Sequence, residues 1–247
     1  MVNIAATLVK HFGKKVLMLD CDSQMTTTKY VATYTDRGEH TIKSVLVDDV
    51  NINDAVVQLE FPRSLASVKI ETTNLFVLPS CIDVEQIPLE DVYVLKRKLD
   101  EVESDYDFCL VDMPPHISGV SMCAAVAADY IVVPANADVD SLEGFGLLID
   151  TVNRIRENEW NLNLEILGIM FNDVNLQRWA QKSIFNKHRN TNKYVFNTYI
   201  KSVSGIEKAR VFGLPLPYIG TFDRDAEREY INLTQEILDR IGERKNG

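Results

Sequence analysis

Two short stretches place acidic side chains where chemistry on a phosphate could use them. The first is Asp20-Cys21-Asp22-Ser23-Gln24, a pair of carboxylates followed by an amide. The second is Asp112-Met113-Pro114-Pro115, a carboxylate with two stiffening prolines behind it. A carboxylate is a hard-oxygen donor that suits magnesium or a water bound to it. Phosphoryl transfer asks little more of a protein than a held metal, a positioned water and fixed positive charge. Each stretch alone is a weak signal, because Asp also serves as a turn or cap residue where a strand ends.

Both stretches close short apolar runs, and those runs set the expected frame. Strands are expected at Lys15–Asp20, Leu75–Pro79, Asp107–Asp112, Asp129–Pro134 and Glu165–Phe171. Further short strands are expected near Val195–Ile200 and Leu216–Ile219. The runs are almost wholly apolar rather than alternating, as in strands covered on both faces. Helices are expected at Asp83–Glu103, with Leu89, Val92, Leu95 and Leu99 in a stripe, and at Ser141–Glu157 and Asp225–Ile241. The alternation gives an α/β fold, a mostly parallel sheet with helices on both faces. Ligands in such sheets gather at the carboxyl ends of the strands, where the two acidic stretches stand.

The 247 residues are 46% hydrophobic and 25% charged, a globular balance that excludes a disordered or fibrous chain. Without a repeat or a Pro/Gly-rich linker, residues 1–247 read as a single domain. No apolar run is long enough to span a bilayer. Four cysteines without C-x-x-C spacing read as reduced thiols in a cytoplasmic protein rather than a disulfide framework or zinc site.

Taken together, the motifs resemble the ParA/MinD group of P-loop ATPases, and its ParA partitioning branch most closely. The stretch YDFCLVDMPPHISGVSMCAAVAADYIVVPANADVDSLEGFGLLIDTVNRI holds Asp112-x-Pro114-Pro115, then Ala127-Ala128-Asp129, Pro134 and Leu142-Glu143-Gly144 in the family's order. The opening VNIAATLVKHFGKKVLMLDCDSQ looks like the family's first helix, second strand and Asp-x-Asp-x-Gln loop. LEILGIMFNDVN through IEKARVFGLPLPYI looks like its later strand, DNA-facing region and base loop.

The resemblance implies ATP and Mg2+ as cofactors. It implies that Asp22 activates the attacking water, that Asp20 supports the metal shell and that Asp112 holds magnesium, usually through water. The Asp112–Pro115 segment looks like the γ-phosphate sensor. Asn172 matches an adenine contact, and Pro215 lies in the loop that closes over the base. ATP-driven homodimerisation, nonspecific DNA binding and a ParB-like stimulating partner follow by the same resemblance, with a nucleoid-associated location. Three departures stand out. The Lys-Gly-Gly-x-Gly-Lys-Thr phosphate loop and the strand before it are absent from these residues, so an N-terminal truncation is expected. The alternative is a relative that works as a binding module without ATP. The family's Pro-Gln-Gly-Asn is Ser23-Gln24-Met25-Thr26, and its Ile-Pro is Ile200-Lys201.

Charge is segregated. From Arg178 to Arg210 there are eight basic residues and one acid, Glu207, a net +7 in a chain whose total is −10. Phosphate contacts need Lys and Arg and little sequence reading, so Arg178, Lys182, Lys187, Arg189, Lys208 and Arg210 are candidate DNA contacts. A basic solvated face is the other reading. The last helix carries no basic amphipathic anchor, which argues against membrane association. Trp160 and Trp179 are expected to pack in the interior.

Overall fold

The computed structural model describes residues 1–32, 38–62, 69–116, 118–138, 143–219 and 224–245. The chain divides into two compact units, each built from two stretches of sequence. The first unit joins Met1–Ala127 to Gly205–Phe222, and the second joins Ala128–Ser204 to Asp223–Gly247.

In the first unit, helix α1 (Val2–Phe12) ends at Gly13, whose φ of 66° lets its N–H turn back onto Leu8 and Val9 carbonyls. Strand β1 (Val16–Asp20) follows and is buried at every residue. Short helices α2 (Thr26–Val31), α3 (Ile42–Leu46) and α4 (Ile52–Ala55) lead to strands β2 (Val57–Pro62) and β3 (Ile70–Leu78). Helix α5 (Val94–Asp100), strand β4 (Phe108–Asp112) and helix α6 (Gly119–Ala127) complete the first stretch. The sheet order is β2-β3-β1-β4. β1 is parallel to both neighbours, and β2 is antiparallel to β3. Leu17, Leu19, Ile42, Leu78, Leu95 and Val120 form the centre of this unit's core.

The second unit opens with strand β5 (Tyr130–Asn136), helix α7 (Glu143–Glu157) and strand β6 (Glu165–Asn172), and β5 and β6 pair in parallel. Helix α8 (Trp179–Thr191) follows. The chain then enters helix α9 (Ser204–Phe212), returning to the first unit, and ends in helix α10 (Arg224–Lys245) of the second. Phe171, Phe185 and Val195 are buried together, with the Phe171 and Phe185 rings edge-on at 5.5 Å. The Arg240 guanidinium lies 3.9 Å from the centre of the Phe196 ring and donates to the Leu167, Tyr194 and Val195 carbonyls. That contact fixes α10 against β6.

The five main strands appear where the apolar runs put them, and the parallel α/β class holds. Four local expectations change. The Asp83–Glu103 helix is instead a 3-10 turn at Val84–Gln86 and the short α5, because Pro88 lacks an N–H and interrupts the helical ladder. Leu216–Tyr218 is a 3-10 turn rather than a strand. Val195 and Lys201 make only isolated bridges, to Ile169 and Val174. β2 was not expected: Leu59 and Phe61 point inward while Gln58 and Glu60 face water, the alternation of a one-sided edge strand. Leu142 of the Leu-Glu-Gly motif lies outside the described residues.

Candidate functional site

The register of β1 and β4 sets Asp20 directly beside Asp112 at the carboxyl end of the first sheet. Two adjacent strand-end carboxylates repel each other unless donors are brought to them. The start of α2 supplies those donors. Thr28 donates to Asp20 Oδ2 twice, through its N–H at 2.8 Å and its hydroxyl at 2.7 Å. Thr27 donates its hydroxyl to Asp112 Oδ2 at 2.6 Å. Consecutive threonines therefore serve the two carboxylates.

Asp20 is fully buried, and its second oxygen accepts the Asp22 N–H at 3.2 Å. Burial pushes its carboxyl above the usual range; the Thr28 and Asp22 hydrogen bonds oppose that push, and the Asp112 charge adds to it. Asp20 is thus committed to holding the loop. Asp22 is half-buried, with Oδ1 held by the Gln24 N–H at 2.8 Å, and among the described residues its other oxygen has no hydrogen bond. Asp112 is half-buried too, and its Oδ1 is likewise unpaired among the described residues.

The loops bearing these aspartates are tied together. The Thr28 hydroxyl accepts the Ser80 N–H at 3.0 Å, and the Ser80 hydroxyl donates to the Asp22 carbonyl at 2.9 Å. Glu85 accepts the Ser23 N–H at 2.9 Å with one oxygen and meets His116 Nε2 at 2.6 Å with the other. Ser23, then His116, hold the Glu85 carboxyl below its ordinary range. Glu85 therefore joins the loop after β1 to the loop after β4. Thr27, Thr28, Ser80 and Glu85 escaped the sequence reading. Only the run Thr26-Thr27-Thr28, hydroxyl donors just past a carboxylate loop, hinted at them.

Met25 enters α2 with φ 55°, in the left-handed region that glycine prefers. It occupies the glycine position of the Pro-Gln-Gly-Asn pattern. The backbone bend survives the substitution, with strain.

Pro114 is buried and Pro115 exposed at the same end of the first sheet. Pro215, also in the first unit, is buried and accepts the Tyr218 N–H at 2.8 Å. Asn172 belongs to the second unit, half-buried at the end of β6 and in register with Asn136 of β5. The basic residues divide as well. Arg178, Lys182, Lys187 and Arg189 belong to the second unit, on α8 and its N-cap, while Lys208 and Arg210 lie on α9 in the first; all are exposed. Trp179 overturns the expectation of packing: it is 81% exposed, because it stands opposite the face that α8 buries.

Open carboxylate oxygens on Asp22 and Asp112 fit a hydrated magnesium ion and an adjacent water. Cradling phosphates takes a glycine-rich loop that turns backbone N–H groups toward them, and the 247 residues contain none. The residues present thus fit the metal and water side of a nucleotide site. Among the described residues no helix is long and apolar enough to cross a membrane.

Residues 1–166 match the family model described as an AAA domain, AAA_31. The chain is 30% identical over 252 residues to the chromosome-partitioning ATPase Soj of Treponema pallidum, covering 98% of this chain and 92% of that protein. It is 27% identical over 246 residues to the sporulation initiation inhibitor protein Soj of Bacillus subtilis, covering 96% and 90%. Among solved structures it resembles cobyrinic acid a,c-diamide synthase from Mycobacterium smegmatis with bound ATP analogue and magnesium, with a TM-score of 0.72, 18% identity and coverage of 98% and 87%. The strand-end aspartates, the parallel sheet and the matched family model together place this chain in the ParA/MinD-type P-loop ATPase family, on its partitioning branch.

Proposed function

We propose that this protein is a ParA-like partitioning ATPase that binds DNA without sequence preference as an ATP-bound homodimer, and that a ParB-like protein stimulates the ATP hydrolysis that releases it. The observation that carries this reading is the pair of register-matched carboxylates, Asp20 and Asp112, each served by a threonine of α2. Bound Mg-ATP supplies the transferable phosphoryl group and the metal's charge.

The chain's own residues have separable tasks. Asp112 holds the metal's water through its open oxygen. Asp22, fixed on one side by the Gln24 N–H, orients a water with the other oxygen. Asp20 is a positioning residue, since one oxygen accepts the Asp22 N–H and the other accepts from Thr28 of α2. Pro114 and Pro115 stiffen the exit from β4. Asn172 and the Pro215 loop are the proposed adenine contacts. Arg178, Lys182, Lys187, Arg189, Lys208 and Arg210 contact phosphates of the DNA.

The test is DNA retention with and without ATP and magnesium. Retention that rises with Mg-ATP supports the reading, and DNA affinity indifferent to both refutes it. A second reading is a DNA- or protein-binding module independent of ATP. Indifference to Mg-ATP is its expected result.

A further inference from the structure

Helix α8 has an unusual outward face. At 3.6 residues per turn, Phe185 and the half-buried Gln181, Ile184 and His188 share its inward side. Directly opposite stand Trp179, Ser183, Asn186 and Asn190, all exposed. Lys182 and Arg189 flank that line on one side and Lys187 on the other, all exposed as well. No Asp or Glu occurs between Asp173 and Glu207. Among the described residues none of these three cations has an ion-pair partner, the Arg189 guanidinium lies 5.8 Å over the ring of Phe185, and the Ser183, Asn186 and Asn190 side chains make no hydrogen bond. Burial and the neighbouring Lys187 lower the His188 pKa.

This face combines one indole, a row of short polar groups and cations on both edges. Phosphates match the cations, and the polar row suits sugar and base-edge contacts. An indole exposed over most of its area matches the flat face of a base. In paired DNA that face is covered by stacking, whereas a single strand offers it freely. From Trp179 to Arg189 the helix rises about 15 Å, room for a few nucleotides of an extended strand. We infer that the outward face of α8 binds single-stranded nucleic acid, with Trp179 stacked on an unpaired base and Lys182, Lys187 and Arg189 on the flanking phosphates. The inference rests on the proposed DNA binding and adds to it a preference for unpaired bases. A docking protein is the other class of occupant, and it would have to be acidic.

The experiment uses the full 247-residue chain with Trp160→Phe, which leaves Trp179 as the single indole of two. With Mg-ATP present throughout, fluorescence is titrated at low salt with a thymidine oligomer of about 12 nucleotides, a duplex of equal length, and polyglutamate. The expected result is strong quenching by the oligomer, with affinity about tenfold above that for the duplex. Anisotropy of a dye-labelled oligomer and duplex gives the affinities of the variants that lack the indole: Trp179→Ala removes that margin and leaves duplex affinity unchanged, while Trp179→Phe keeps most of it. Equal or tighter duplex binding, unmoved by Trp179→Ala, overturns the single-strand inference and leaves the DNA reading standing. Binding of neither nucleic acid overturns both. Quenching by polyglutamate matching that by the oligomer assigns the face to an acidic protein and overturns the inference.

Discussion

Met25 holds a left-handed backbone at the entrance to α2, where a side chain costs about 1–2 kcal/mol and glycine costs almost none. The preserved bend lets Thr27 and Thr28 reach their aspartates. Met25→Gly is therefore expected to be more stable than Met25→Val by about 1–2 kcal/mol, measured by urea unfolding. Thr28 is the stricter residue, because its hydroxyl donates to a buried carboxylate and accepts the Ser80 N–H. Thr28→Val keeps the shape and loses both bonds. A loss of about 2–4 kcal/mol is expected, since a buried donor and a buried charge each lose a partner. Wild-type stability in that variant would refute the network. At this scale the sequence revealed Asp20, Asp22 and Asp112, because a carboxylate at the end of an apolar run is conspicuous. Thr28 and Glu85 stayed hidden: their partners, 8 and 62 residues away in Asp20 and Ser23, become neighbours only through the fold. Trp179 was misjudged because a lone aromatic gives no sign of which helix face will carry it.

Among the elements, β6 and α10 meet at Gly168. A Cβ there would lie 2.5 Å from the Tyr194 carbonyl and 2.7 Å from the Phe196 ring. Gly168→Ala is expected to destabilise the chain by about 3 kcal/mol, with a matching fall in the urea midpoint. The same helix contributes a pH-sensitive clasp. Burial alone would raise the Glu236 carboxyl, but the Asn197 and Thr198 N–H groups and Arg240 outweigh it and hold the pKa below its ordinary value. Its contribution is thus fully present above the unfolded value of 4.5 and disappears as pH falls through the lower folded value. Thermal unfolding from pH 6 downward should show this acid limb, and Glu236→Gln should flatten it. A variant as acid-sensitive as the parent would disprove the assignment. The elements most legible from sequence were the strands buried on both faces, whose composition admits few alternatives. β2 and the first half of β3 were lost because exposed polar residues alternate with buried ones there. The helix drawn through Pro88 shows how an apolar stripe persuades even where the backbone forbids it.

For the whole molecule, charge sets the terms of any encounter with DNA. A chain of net −10 is repelled by phosphates except through its basic stretch, so binding must fall steeply with salt. Lys182→Ala with Lys187→Ala is expected to lower the slope of log affinity against log salt by about 0.9 for each contact removed. An unchanged slope would remove α8 from the DNA-binding surface.

Both units are discontinuous, and that has a consequence in biosynthesis. A ribosome emits β5, α7, β6 and α8 long before Arg240, yet the Leu167, Tyr194 and Val195 carbonyls have that guanidinium as a donor. The first unit waits too, since Tyr30 and Asn3 bond to Leu214 and Leu216. Neither half can finish folding while its last segment is still in the exit tunnel. A nascent chain stalled before residue 214 would carry two unclosed halves at once, a natural target for chaperones and proteases.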